Sequence, residues 1–284
     1  MVRCVILFLA AAFSVLADER TQRLALRLAE EAVVFQRVVP QVLGIETLQQ
    51  RAQKTPGRFR IRVGKAATKA AEVEWQQRQI VSQYGFSTFA SDGSIHELRQ
   101  VISVDGRHVK SGGPDALARL ILASDDSRKR ELLKQFEEHG LLGAVTDFGP
   151  LLLLFTPANI VRYEFSFLRL ATIDNTPALV FSYKQIDGPT ALTVFNAKRE
   201  ETQTLGISGE VWVRGDYLPM RVTLNSWSGN VRQEGIVDYA PSRFEALLPV
   251  SVHHREIRSG KVYAENNFTY SDFKRFGASG EDSK

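Results

Sequence analysis

Apolar residues recur at helical spacing near the start of the chain, between Asp18 and Val39. Steps of three or four residues place them on one face, which predicts a helix with one buried side. Pro40 interrupts the pattern, and residues 42–50 are expected to resume as a second short helix, making 18–50 an N-terminal helical segment. The apolar positions of the first helix are Leu24, Leu28, Ala32, Phe35 and Val39.

The pattern changes after residue 74, where β-branched and aromatic residues become frequent. One such run extends from Ile80 to Phe89 and a second from Ile95 to Val104, with Asp92-Gly93 between them. Asp-Gly between two strand-like runs is a turn signal, so the two runs are predicted to form a hairpin.

A helical insertion is expected at residues 114–161. Ser124 and Asp125 offer N-cap oxygens to a helix that ends before Gly140. The apolar run from Leu141 to Phe155 contains four consecutive leucines starting at Leu151. Its periodicity does not separate a helix from a strand, and a buried helical segment is the interpretation adopted.

The second half of the chain has the pattern of successive strands. Turn residues such as Asp187-Gly188 and Ser259-Gly260 separate the runs, and connections this short join antiparallel neighbours. The predicted strands are residues 163–170, 178–186, 191–196, 209–214, 219–226, 231–239, 248–258 and 261–273.

Alternation within these runs leaves one face of the sheet apolar. Val211 and Val213, for example, point away from Trp212 and Arg214. A sheet with one apolar face must be covered, and the helices supply the cover. The sequence therefore predicts an α+β fold: a curved antiparallel sheet, a half-barrel of about 8–10 strands wrapped over helices, at residues 74–276 with a disordered tail at 277–284.

The first 17 residues have the pattern of a secretory signal peptide. Arg3 precedes an apolar run from Val5 to Phe13, and small residues at Val15 and Ala17 predict cleavage after Ala17. The alternative, an uncleaved anchor, would need a longer apolar run to cross a bilayer. The single cysteine, Cys4, would leave with the signal, which indicates a periplasmic or extracellular protein without disulfides.

Charge adds one candidate surface. The chain has a net charge of +4, too small an excess to predict a nucleic-acid partner. A basic linker is expected at residues 51–73, and the part that begins at Arg51 and ends at Lys69 has seven Lys or Arg and no acid. It is either a solvated linker or a segment that contacts an anionic membrane surface.

No catalytic, cofactor or metal site is predicted. The five histidines lack zinc-site spacing, and the tightest cluster, His253 to Glu256, places only His254 and Glu256 on one face of a strand. Ser271 and Lys274 match the letters S-x-x-K, but at the end of a strand and not at the start of a buried helix. Glu200-Glu201 is interpreted as part of a solvated loop.

The strand-rich region resembles a known family. Residues 209–224, with Trp212, Asp216, Leu218-Pro219 and Arg221, and a final strand centred on Tyr270, resemble the periplasmic lipoprotein-carrier superfamily. The resemblance implies an antiparallel half-barrel capped by helices, with an apolar surface that holds acyl chains or a protein segment. It carries over no catalytic residue.

Aromatic side chains of the strands suggest a binding surface. They form the core between sheet and helices, or some of them line an apolar cavity for a lipid, an acylated ligand, a lipoprotein or an apolar peptide. A non-enzymatic envelope protein that binds such a ligand in a half-barrel cavity is the leading hypothesis, and the alternative is a structural or interaction module that docks through its N-terminal helix and basic linker. The proposed lining residues are Phe165, Phe181, Trp212, Trp227, Phe268 and Tyr270.

Overall fold

A computed structural model describes most of the chain. The described residues are 2–54, 73–91, 93–110, 112–113, 115–141, 148–188, 192–196 and 201–276. Most of the basic linker and all of the tail at 277–284 lie outside them, as does Glu200.

Three α-helices and three short 3₁₀ helices occur in the described residues. Within these residues no helix is long and apolar enough to cross a membrane. The α-helices are α1 (Val2–Val38), α2 (Ala116–Leu122) and α3 (Asp126–His139), and the 3₁₀ helices are Val39–Gln41, Gly149–Phe155 and Ile160–Arg162.

The strands account for most of the remaining described chain. They are β1 (Val42–Gln53), β2 (Trp75–Thr88), β3 (Ile95–Val104), β4 (Arg107–His108), β5 (Tyr163–Ile173), β6 (Thr176–Gln185), β7 (Leu192–Asn196), β8 (Glu201–Leu205), β9 (Ile207–Val213), β10 (Pro219–Ser228), β11 (Val231–Pro241), β12 (Leu247–Arg258) and β13 (Lys261–Arg275).

Eleven strands form one open antiparallel sheet in the order β4-β3-β2-β1-β13-β12-β11-β10-β9-β6-β5. Strands β7 and β8 pair only with each other among the described residues. The predicted antiparallel sheet is confirmed, but it has more strands than the 8–10 expected. The difference arises because β1 and β4, which were not predicted as strands, join the sheet, whereas the predicted strand at 191–196 lies outside it as β7.

Helix α1 covers the inner face of this sheet, the face that carries Val211, Val222 and Val237. All five predicted stripe residues of α1 and of the turn after it are fully buried. The predicted helix and its buried side are therefore confirmed. Beside α1 lies the 3₁₀ helix Gly149–Phe155, whose Leu152 and Phe155 are also inaccessible to solvent.

The predicted second helix at residues 42–50 is wrong, because these residues form β1. The boundary placed at residue 74 consequently does not separate a helical segment from the sheet. The solvated loop predicted at Glu200-Glu201 is also corrected, since Glu201 begins β8. In the run from Leu141 to Phe155, residues Gly149–Phe155 form a 3₁₀ helix. Residues 142–147 lie outside the described residues.

In the first half of the chain, turn residues and helix caps correctly predicted the β2–β3 hairpin and helix α3. The hairpin of β2 and β3 forms as predicted. Helix α3 begins where expected, and the Asp125 side chain accepts a hydrogen bond from the backbone N–H of Arg128 at 3.2 Å. Of the two candidate caps, Asp125 is therefore the N-cap of α3.

Candidate functional site

A groove lies where β3 meets α2 and α3. Strand β3 contributes Arg99, Gln100 and Val101 to its floor, and Val109 follows β4 at one side. The groove has a volume of about 600 Å³, within the range of roughly 300–1,000 Å³ that is usual for small-molecule sites.

The two helices form the walls of this groove. Helix α2 turns Leu117 and Leu120 toward it, and α3 presents Leu132. On α3 the lining residues recur at helical spacing, so one continuous face of the helix forms the wall. That face consists of Arg128, Glu131, Leu132, Gln135 and His139.

The loop before α2 is held against β3 by a short contact. The Gln100 side chain donates a hydrogen bond to the carbonyl oxygen of Gly112 at 3.0 Å. A Cβ atom at Gly112 would lie 2.7 Å from the Cβ of Ala116, so a glycine is needed for this close approach. The loop and α2 therefore pack tightly at one end of the groove.

Arg99 of the groove floor belongs to a buried ionic cluster. Arg99 Nε and Nη2 donate to the two carboxylate oxygens of Glu46 at 2.7 and 2.8 Å, and Nη2 also donates to Glu97 at 2.7 Å. Glu97 Oε1 accepts further hydrogen bonds from the Tyr84 hydroxyl and the Gly149 N–H. Arg99 Nη1 is buried and has no hydrogen-bond partner among the described residues.

Burial and charge act in opposite directions on the pKa values of this cluster. Burial raises the pKa of Glu46, and the neighbouring Arg99 only partly offsets this effect. For Arg99, burial lowers the pKa, but the charges of Glu46 and Glu97 outweigh it and leave the pKa well above its ordinary value. Arg99 is therefore a cation that two acidic groups neutralise.

A second buried network crosses the inner face further along the sheet. His254 Nδ1 accepts from the Asn266 amide at 3.0 Å, and His254 Nε2 donates to Gln233 Oε1 at 2.6 Å. Asn266 in turn accepts from Gln50, which accepts from the Leu141 N–H after α3. Burial, with a smaller effect from His253, lowers the pKa of His254 to about 3. The network of this neutral histidine thus joins four strands, β11, β12, β13 and β1, to the end of α3.

Solved structures similar to this chain are distant in sequence. A putative outer membrane lipoprotein-sorting protein domain from Vibrio parahaemolyticus is 10% identical with a TM-score of 0.37, over 90% of this chain and 95% of that one. A DUF1329 family protein from Desulfovibrio piger is 9% identical with a TM-score of 0.37, over 90% and 94%. A LolA superfamily protein from Nitrosomonas europaea is 14% identical with a TM-score of 0.31, over 89% and 94%.

No family model and no curated protein matches the chain. The names of the first and third structures match the superfamily that residues 209–273 resemble.

The six aromatic residues proposed as a cavity lining occupy different environments. Phe181 and Phe268 are closed off in the main core, and Phe165 packs against that core. Tyr270 is 9% exposed and borders a separate groove of about 340 Å³ near the end of β13. Four of these rings, Tyr270 included, therefore pack in or against the main core.

The two tryptophans lie on the other face of the sheet. Trp212 donates from Nε1 to Glu210 at 2.9 Å, and the guanidinium groups of Arg169 and Arg221 lie over its ring. Trp227 is 55% exposed. The six residues are therefore not brought together around one cavity.

Sequence reasoning did not identify the groove. A signal was present in β3, where Glu97 and Arg99 share a face with Val101, because charged residues on an apolar strand face indicate a buried ion pair. The residue patterns of α2 and α3 do not predict the walls of the groove, because the groove forms only where these two helices contact the sheet.

The other candidate residues have structural partners. His254 and Glu256 do share a face, as predicted, and the Gln233 amide joins them. In the described part of the chain, no three His, Cys, Asp or Glu side chains are placed to hold a metal ion. Ser271 donates a hydrogen bond to the adjacent Asp272 within β13.

Proposed function

We propose that this chain is an exported, non-enzymatic protein that binds a lipid or another acyl-bearing ligand in the groove between β3, α2 and α3. The observation that carries the proposal is the groove itself, which combines an open volume of about 600 Å³ with apolar residues from all three elements. Export follows from the predicted signal peptide, whose cleavage after Ala17 would leave α1 from Asp18 onward.

The inner face of the sheet is a less suitable place for the ligand. Helix α1 and the 3₁₀ helix Gly149–Phe155 already pack there, and Phe35, Leu152 and Phe155 have no exposed surface. An acyl chain would have to displace these side chains. The edge groove needs no such displacement, so the binding site proposed here is at the edge and not inside the half-barrel.

The expected affinity comes from apolar burial. Each buried methylene contributes about 0.8 kcal/mol, so six methylenes of an alkyl chain would contribute about 5 kcal/mol before the cost of immobilising the ligand. No covalent step is needed for this function.

The alternative of docking through α1 is less well supported. Its apolar stripe, which includes Leu24 and Leu28, is already buried against the rest of the fold. Contact of the basic linker with an anionic membrane remains a proposal from the sequence, since residues 55–72 lie outside the described residues.

A matched pair of variants on α2 tests the proposal. Leu120 lines the groove, whereas Leu122, two residues later, is 69% exposed and is not one of its lining residues. Leu120→Asp should abolish binding of decyl maltoside, a neutral single-chain amphiphile used below its micelle concentration, in isothermal titration calorimetry. Leu122→Asp should bind as the unmodified chain does.

Two results would overturn the proposal. One is the absence of any heat of binding with the unmodified chain at two well-separated temperatures, because apolar burial changes the heat capacity and its enthalpy can vanish at only one of them. The other is equal loss of binding in both variants while circular dichroism shows both to be folded, because a site elsewhere would then be involved. Native mass spectrometry of the chain purified gently from an envelope fraction, followed by solvent extraction, identifies what it carries.

A further inference from the structure

We infer that the groove is selective for amphiphiles with one alkyl chain and an anionic head, a carboxylate or a phosphate. This inference rests on the proposed function and adds the chemical class of the ligand. It is based on the charges around the groove, which come from three different parts of the chain.

Three cationic side chains line the groove. Lys110 follows β4, Arg119 lies on α2 and Arg128 lies on α3, and all three are exposed. None of them forms an ion pair with a carboxylate in the described part of the chain. Glu131 is the acidic residue among those lining the groove, and its carboxylate accepts a hydrogen bond from Gln135 at 3.1 Å. The rim of the groove, formed by Lys110, Arg119 and Arg128, therefore has an excess of positive charge.

The charge of Arg99 does not add to this excess. Arg99 lies at the floor, but Glu46 and Glu97 both bind its guanidinium group. Two carboxylates against one guanidinium leave no net positive charge below the floor. An anionic head is thus expected at the rim, beside Lys110, Arg119 and Arg128, with the alkyl chain directed toward Val101, Leu117 and Leu132.

The groove also continues in one direction. Val109 and His139 border both this groove and an adjoining depression of about 480 Å³, which reaches Arg107 and His108. That end is also lined by Arg78 and Asp105, which pair at 3.5 Å, so with the exposed Arg107 it has a net charge of +1 when its histidines are neutral. An elongated path with apolar side chains along it and cations beside it fits a single-chain amphiphile, because the chain and the head need different surroundings.

Four amphiphiles with the same dodecyl chain length test the inference. They are dodecanoate, dodecyl phosphate, dodecyl maltoside and dodecyltrimethylammonium, each titrated calorimetrically below its micelle concentration. At low salt both anionic compounds should bind about tenfold more tightly than the maltoside, since two or three partly exposed charge pairs together give about this factor. The cationic compound should bind most weakly. The two anionic compounds, compared with each other, show whether a carboxylate or a phosphate head is preferred.

Variants at the rim separate charge from shape. Arg119→Gln combined with Arg128→Gln should remove most of the anionic preference, measured as the ratio of the Kd of the maltoside to the Kd of dodecanoate in the same variant. The matched control is Arg130→Gln, because Arg130 is exposed on the same helix α3, bonds Ser91 and is not among the groove residues. Added salt should weaken the anionic compounds and have little effect on the maltoside.

The possible failures are distinguishable. If the maltoside binds as tightly as the anionic compounds and the double variant changes nothing, the inference on charge is wrong and the proposed function stands. If none of the four compounds binds, both are wrong. If the anionic compounds bind tightly but Arg130→Gln weakens them as much as the double variant does, the groove rim is not the site.

Discussion

Arg99 on β3 and Glu46 on β1 form a bidentate ion pair across the intervening strand β2. Their side chains are 2% and 1% exposed, so each charge depends on the other for its compensation. Arg99→Met would leave Glu46 and Glu97 without a cation. We expect this variant to lower the free energy of unfolding by about 3–5 kcal/mol, measured by urea denaturation.

A variant without any of the three charges serves as the comparison. In Glu46→Met/Glu97→Gln/Arg99→Met, the amide introduced at position 97 keeps an acceptor for Tyr84 and Gly149, and no unpaired charge is buried. Replacing a whole buried ion cluster is often close to neutral, so the triple variant should be more stable than Arg99→Met alone. If the two are equally unstable, the loss comes from packing and not from uncompensated charge.

The lowered pKa of the buried His254 is expected to make the free energy of unfolding depend on pH. Its pKa is about 3 in the folded chain, against about 6.5 in an unfolded one. As the pH falls below about 6.5, the unfolded chain binds a proton that the folded chain does not bind. This residue alone should therefore lower the free energy of unfolding by about 1.4 kcal/mol per pH unit between those two values.

Urea denaturation at about pH 6.5 and about pH 5, above most carboxyl pKa values, measures this slope. His254→Gln keeps a donor and an acceptor but does not titrate, so its stability should change much less over the same interval. The control is His253→Gln on the same strand, which should keep most of the slope. An unchanged slope in His254→Gln would show that other groups cause it.

Two of the aromatic residues singled out in the sequence should behave in opposite ways. Phe181 has no exposed surface, and Phe181→Ala should cost about 3–5 kcal/mol through the cavity it leaves. Trp227 is 55% exposed with the Arg232 guanidinium over its ring, and Trp227→Ala should cost about 1 kcal/mol or less. Thermal or urea denaturation of both variants checks this, and similar losses would contradict the placement of the two rings.

The N-terminus of α3 gives a local test. Asp125 caps the helix through the Arg128 N–H, whereas the adjacent Ser124 does not. Asp125→Ala should lower the free energy of unfolding by about 1 kcal/mol. Ser124→Ala should leave it nearly unchanged, and the reverse order of the two effects would mean that the cap is Ser124.

Strand β1 shows why part of the fold was not predictable from local pattern. Its inward positions include Glu46 and Gln50, which are polar, so the apolar alternation of a half-buried strand is absent. These two side chains are buried because Arg99 and Asn266 bind them. Both partners are distant in sequence, and no window around residues 42–53 contains them.

Strand β8 was missed for a related reason. Residues 201–205 are mostly polar and pair with β7 outside the main sheet. With no apolar face to bury, the segment has the composition of a loop. Its strand structure comes from backbone pairing, which side-chain patterns do not report.

The sequence by itself determined the elements whose patterns are local. The buried stripe of α1, the hairpin of β2 and β3, the start of α3 and the antiparallel strands after Arg162 all follow from residue spacing, turn residues and caps. Only the tertiary structure decided that residues 42–53 form a strand paired with β13, and that the groove lies at the β3 edge. Those features depend on contacts between residues far apart in the chain, where burial is set by partners and not by a residue's own polarity.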